Sequence, residues 1–319
     1  MYTRRVQKTG GSTYIVSLPS SWAEKNGISK GTELVLEEND DQLIVSLGKR
    51  TREVNRTVSI DGDLDGDVFL RSLISLYIAH FDSLVIRSGK YMGKEIRDNV
   101  RKFSKLVMGV EIFEETSNAI VLQNVLDSSS FPPDKALRRM ATNVSLMLQD
   151  TIRGIKESDM ELLESVVQRD DEVDRYHLYV FRETNGKGGD GTAFLLIFSR
   201  ILERIADHAV SASKTWRRSR TRKSSEVLEN FMEETRNLFE DAIKVTYSPE
   251  FRAINEIIDR KDVIAERKQG ILAGSRGSDS TIVSSVVEDF SRIGFYSTDI
   301  AELSLDTLSA AQKDLSIDW

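Results

Sequence analysis

Asp170 and Asp174 stand four residues apart, and so do Glu203 and Asp207. On an α-helix that spacing stacks each pair on one face, about 6 Å apart. Four carboxylates gathered in a half-buried seam repel one another unless protons or cations neutralise them, so the chemistry in view is an oxygen-ligated cation site. Oxygen-only ligation points to iron, manganese or magnesium ahead of softer ions. A plainer arrangement uses the same residues: the acids lie on solvated helix edges and pair with Arg169, Arg175, Arg200 and Arg204. Both readings stand open at this point.

Two helices must position these groups. In the first, Leu163, Val167, Asp170, Asp174, Leu178 and Phe181 recur at helical period, which predicts an apolar stripe broken by two acids that point inward. Between the helices, Asn185 to Gly191 has the composition of a turn. In an antiparallel hairpin, residues equidistant from the midpoint share a height. The pairs 170 with 207 and 174 with 203 are both centred between 188 and 189, so all four carboxylates are expected at one level.

The chain has 319 residues, long for a single core, which predicts two or three domains. It has no cysteine and three histidines, which excludes disulfides and thiolate metal sites. The first residues lead into no apolar segment, and no uncharged run approaches ~18 residues. Neither export nor membrane insertion is indicated, and a cytoplasmic protein is expected. The net charge is −7, yet residues 1–56 carry nine Lys or Arg against seven acids, and Arg4, Arg5 and Lys8 precede the first acid, Glu24. A basic tip on an acidic body suits one part that approaches a polyanion and another that does not.

In chain order, Tyr14 to Leu18 reads as a strand stopped by Pro19. Ser20 then starts a short helix that ends at Gly27, and Glu33 to Glu37 with Gln42 to Leu47 form a hairpin around Asn39-Asp40-Asp41. A basic strand, a glycine turn, "IVSLP", a helix ending "NGI", "KG" and a hairpin resemble the AbrB-type swapped-hairpin DNA-binding domain over residues 1–50. The resemblance implies a homodimer through this domain that presents Arg4, Arg5 and Lys8 to duplex DNA, with Thr9 to Ser12 as the adjacent loop. About 50 residues with so little apolar surface are marginal as a monomer.

Residues 51–127 predict a small α+β module. It has a strand at Val54 to Ile60, a helix from Val68 to His80, a short strand at Leu84 to Arg87, a helix from Lys94 to Val107, and a hairpin of Val110 to Glu114 with Ala119 to Gln123. It carries no motif, its role does not follow from the sequence, and His80 at a helix end reads as structural.

From 128 to 319, after the loop Asp127 to Asp134, the pattern is six helices, near 134–156, 160–184, 192–217, 224–246, 250–270 and 281–312, in two sets of three. "LQDTIRGI" aligns with "FEDAIKVT" and "VVQRDDEVD" with "IIDRKDVIA" at one offset, and Asp207 aligns with Asp299 one residue later, as a longer second hairpin loop would require. This part resembles PhoU, the phosphate-uptake regulator family, through "DDEVDRYH" and through Arg200, Glu203, Arg204, Ile205, Asp207, His208 and Ala209. The whole is identified as an archaeal-type fusion of an AbrB-like domain to a PhoU-like one. The PhoU resemblance implies a pair of three-helix bundles with multinuclear iron or zinc at Asp170, Asp174, Glu203 and Asp207.

The second repeat departs from that pattern. Phe295 stands opposite Glu203, while Asp262, Glu266 and Asp299 remain, so at most a weak second site is expected. Elsewhere, His177 lies three residues after Asp174, but the Glu-x-x-His pairs of di-iron bundles are missing. The basic run Arg217, Arg218, Arg220, Arg222 and Lys223 reads as a solvated turn.

The expected fold is thus multidomain α+β: a swapped-hairpin β domain, a small α+β unit and a PhoU-like pair of bundles. The resemblances imply a non-enzymatic, phosphate-responsive transcriptional regulator, negative for phosphate uptake, with duplex DNA, a second copy, and a phosphate transporter ATPase or another phosphate-signalling protein as partners. The alternative is a metal-dependent helical-bundle enzyme with an accessory dimerisation domain. Operator, metal identity and direct effector lie beyond the sequence.

Overall fold

The computed structural model describes residues 3–39, 42–47, 54–60, 66–127, 130–185, 191–220, 222–275 and 279–311. The tips expected at Asp40-Asp41, Ser128-Ser129 and Gly186 to Asp190, the 50/51 boundary, and Gln312 at the end of the last helix lie outside these residues. The chain divides into two compact units, Met1–Glu53 and Val54–Trp319.

In the first unit, β1 (Gln7–Thr9) pairs antiparallel with β2 (Thr13–Ile15) around Gly10, whose φ of +66° is open to glycine without strain. The ladder ends at the Gln7–Ile15 pair, so the strand expected to run to Leu18 is shorter: among the described residues, Val16 to Leu18 pair with no neighbouring strand. Pro19 precedes α1 (Ser20–Lys25). The helix closes in a Schellman motif, Ile28 N–H donating to Ala23 O and Gly27 N–H to Glu24 O, with Gly27 at φ +65°. β3 (Val35–Asn39) and β4 (Gln42–Ser46) form the second hairpin. Among the described residues, no side chain of this unit is buried; Tyr14, Leu36 and Leu43 are 70%, 59% and 57% exposed.

The second unit begins with β5 (Asn55–Ile60), α2 (Gly66–Ile78), β6 (Ser83–Ser88), α3 (Lys94–Leu106), β7 (Val110–Glu115) and β8 (Ala119–Asn124). The sheet order is β5-β6-β8-β7, with β5 and β6 parallel and the other neighbours antiparallel. Alternation along the strands turns Leu84, Ile86, Ile120 and Leu122 inward, where they meet Phe69, Leu73, Tyr77 and Phe103 of the helices.

The helical part comprises α4 (Pro133–Glu157), α5 (Met160–Thr184), α6 (Thr192–Trp216), α7 (Glu226–Tyr247), α8 (Phe251–Gly274) and α9 (Ser280–Ala311). α4, α5 and α6 pack on one another, as do α7, α8 and α9, and α6 against α9 joins the triples around one apolar core. Local chemistry sets the ends. Asp159 caps α5 by accepting from Glu161 N–H and Leu162 N–H at 3.1 and 2.9 Å, and Ser225 caps α7 by accepting from Leu228 N–H at 3.3 Å. Where α4 turns into α5, a side chain on Gly154 would come within 2.7 Å of Leu163, so only glycine allows this approach.

Side chains from two other elements satisfy the C-terminal carbonyls of α2. Arg56 of β5 donates to His80 O and Ala79 O at 2.8 Å. Arg182 of α5, itself buried, donates to Tyr77 O and Phe81 O at 2.9 Å, and Asn185 donates to Ile78 O at 2.9 Å. Cations at a helix C-terminus also complement its dipole. The α+β module is therefore fastened directly to the helix that carries Asp170 and Asp174.

Candidate functional site

The four carboxylates belong to α5 and α6, which pack together. The core-facing line of α5 is Leu163, Val166, Val173, His177 and Val180. Asp170 and Asp174 flank it and are half-buried, as is Glu203, while Asp207 is exposed. The inward orientation expected from Leu163, Val167, Leu178 and Phe181 is thus corrected. Of those four only Leu163 is fully buried, because the helix is rotated so that Val166 and Val173 meet the core.

The acids nonetheless act on each other. Burial, reinforced by Asp207, Asp171 and Glu203, pushes the Asp170 carboxyl up to about 6, with Lys214 pulling the other way. Burial and then Asp170, Glu203 and Asp207 push Asp174 up to about 7. Glu203 is raised by burial and Asp207 and lowered by Arg200. Each of these groups resists carrying its charge beside the others.

Two of the four arginines that could relieve this are engaged elsewhere. Arg169 pairs with Asp150 at 2.5 Å and Arg204 donates to Tyr296 Oη at 3.1 Å. Arg200 does form an ion pair with the cluster, at 3.5 Å from Glu203. Among the described residues, no three His, Asp or Glu side chains converge closely enough to grip a metal ion. The donor type is that of a hard-cation site: four carboxylates on two facing helices, of which Asp170, Asp174 and Glu203 have proton affinities raised by burial and by neighbouring acids.

The histidines have other tasks. His177 is buried, its Nδ1 lies 3.2 Å from Ser199 Oγ, and burial, then Arg200, pushes its imidazole down to about 4, so it is neutral core. His208 faces α9, with Nδ1 2.9 Å from Asp289 Oδ1. His80 holds a positive φ of 60° where Arg56 grips its carbonyl. The basic run is woven into the turn between the triples: Arg217 pairs with Glu164, and the Arg220 N–H donates to Asp279.

In the second triple, Asp262 and Glu266 are exposed, and Asp299 lies 3.8 Å from Lys261 Nζ. Lys261 escaped the sequence-based choice of candidates, although the alignment of "VVQRDDEVD" with "IIDRKDVIA" sets it opposite Asp170. In the N-terminal unit, Arg4, Arg5 and Lys8 are exposed on and beside β1, and Lys8 Nζ lies 5.7 Å from the centre of the Tyr14 ring. No helix among the described residues is long and apolar enough to cross a membrane.

Residues 137–215 match the PhoU domain. This span is α4 to α6, the triple that holds all four carboxylates. Residues 7–52 match the family of the bacterial antitoxin MazE, described as antidote-toxin recognition, so the chain joins a MazE/AbrB-like segment to a PhoU segment. The fold of the helical part is that of the phosphate transport system regulatory protein PhoU from Streptococcus pneumoniae. The TM-score is 0.50 at 14% identity, over 57% of this chain and 96% of that one. No curated protein matches the chain. The PhoU match ends at α6, and the second triple falls outside it.

Proposed function

We propose that this chain is a phosphate-responsive transcriptional regulator that restrains phosphate uptake. It binds duplex DNA as a homodimer through its N-terminal unit, and its helical half holds a cation. The observation that carries the reading is the presence, in one chain, of a MazE-type segment at 7–52 and a PhoU domain at 137–215. The solved relative named for phosphate transport regulation points the same way. Arg4, Arg5 and Lys8, exposed at the β1 hairpin, supply the charge that a phosphodiester backbone requires.

Asp170, Asp174, Glu203 and Asp207 would hold the cation. Iron or zinc leads by family resemblance, and manganese or magnesium suits the same oxygens. A bound cation would supply the positive charge that relieves their repulsion. A phosphate transporter ATPase, or another phosphate-signalling protein, is the partner that the PhoU half would address.

Chromatin immunoprecipitation of the tagged protein from cells grown at high and low phosphate tests it. Enrichment at phosphate-transport promoters that changes with phosphate supports the proposal. Absence of enrichment under both conditions, for a protein shown to be expressed, overturns it.

A further inference from the structure

The two helical triples share a fold but not a chemistry. The offset that carries residues 166–174 onto 257–265 sets Lys261 opposite Asp170 and Ala265 opposite Asp174, and the offset that carries Asp207 onto Asp299 sets Phe295 opposite Glu203. At these registers three of the four equivalent positions carry no carboxylate, Asp262 and Glu266 standing one residue further along, and a cation occupies one of them. That cation is engaged: Lys261 Nζ lies 3.8 Å from Asp299 Oδ1 and 3.5 Å from Glu302 Oε1. Phe295 packs against the apolar core where Glu203 would present an oxygen. Asp262 and Glu266, the acids with the four-residue spacing, are exposed on α8, while these ion pairs of Lys261 run across to α9.

We infer that the second triple excludes metal and carries its own cation instead, the Lys261 ammonium neutralising Asp299 and Glu302, where the first triple sets one ion-paired arginine, Arg200 against Glu203, beside four acids. An ammonium and a divalent ion compete for the same oxygens, and the two acids left are too few to outbid an attached competitor for an ion that takes four or more ligands. The inference rests on the proposed cation site of the first triple for its contrast. It adds that metal loading acts on α5 and α6 alone, while α8 and α9 stay paired at every metal concentration.

Full-length protein, stripped by chelator and dialysed against Fe(II), Zn(II) or Mn(II), is assayed for bound metal by elemental analysis. Asp299→Asn should bind as much as wild type, and Asp174→Asn/Glu203→Gln should bind none. Lys261→Asp should take up additional metal that is lost again in Lys261→Asp/Asp299→Asn. Metal retained by Asp174→Asn/Glu203→Gln and lost on adding Asp299→Asn would overturn the inference, as would no gain in Lys261→Asp. A metal-free wild type would sink the first-triple site only; uptake by Lys261→Asp would still decide for the second. Lys261→Gln, which keeps the aliphatic stem, replaces the aspartate variant if that variant misfolds, with weaker uptake in the same direction.

Discussion

The N-terminal unit and the helical half solve the burial problem in opposite ways. Six long helices close over a core with Leu163, Phe198, Trp216, Phe239 and Phe290 at its centre, whereas the described part of the N-terminal unit, hairpins and all, buries no side chain by itself. Exposed Tyr14, Leu36 and Leu43 are apolar at strand positions, and a segment of this size lacks the area to offset its chain entropy unaided. One part carries its stability within the chain, while in the proposed homodimer the other would obtain it from a second copy.

The largest effect tests that contrast directly. On dilution through the dimer dissociation constant, the N-terminal unit should lose its structure while the helices keep theirs, followed by sedimentation and limited proteolysis of the same samples. A monomer whose N-terminal segment resists protease would break the comparison.

Next in size is a pH effect inside the helical core. The His177 imidazole falls from 6.5 to about 4 on folding, so between those values the unfolded chain binds the proton and the folded one does not. Its contribution is present above pH 6.5 and lost as pH falls towards 4, about 3 kcal/mol across the window. His177→Gln should flatten the melting temperature over that range relative to wild type; parallel curves would show that the ring titrates normally.

The carboxylates of the first triple act in the reverse direction. Asp170 and Asp174 are raised on folding, so they favour the folded state at low pH and oppose it as pH rises through about 6 and 7. Allowing for solvent screening of half-buried groups, Asp174→Asn/Glu203→Gln should stabilise the chelated protein by about 1–2 kcal/mol at pH 8 and much less at pH 4. The same variant should lose the chelator sensitivity of the wild type. A variant less stable than chelated wild type at pH 8 would mean that the acids are paired on the surface after all.

Smallest for stability, though large for function, is Arg4→Ala/Arg5→Ala/Lys8→Ala. Helical melting should be unchanged, while the salt dependence of DNA binding flattens by roughly 0.9 for every phosphate that the variant no longer neutralises. An unchanged slope in filter binding would remove these side chains from the interface.

Much of this was written locally. The helical pattern placed α5 at 160–184, and Pro19 and Gly27 punctuate elements where their backbone preferences require. The carboxylate spacing and the internal repeat were legible because each depends on residue order alone. What order could not decide was rotation and pairing. Turning α5 so that Val166 and Val173 face the core moves Asp170 and Asp174 from the interior to its flank. That choice belongs to the packing of α4 and α6 against it, not to the period of its own apolar residues. Lys261 finds its partner Glu302 41 residues along the chain, and the carbonyls that Arg182 grips lie 105 and 101 residues away at Tyr77 and Phe81. Charge and hydrogen-bond partners so distant are selected by which helix faces meet, and only the tertiary structure settles that.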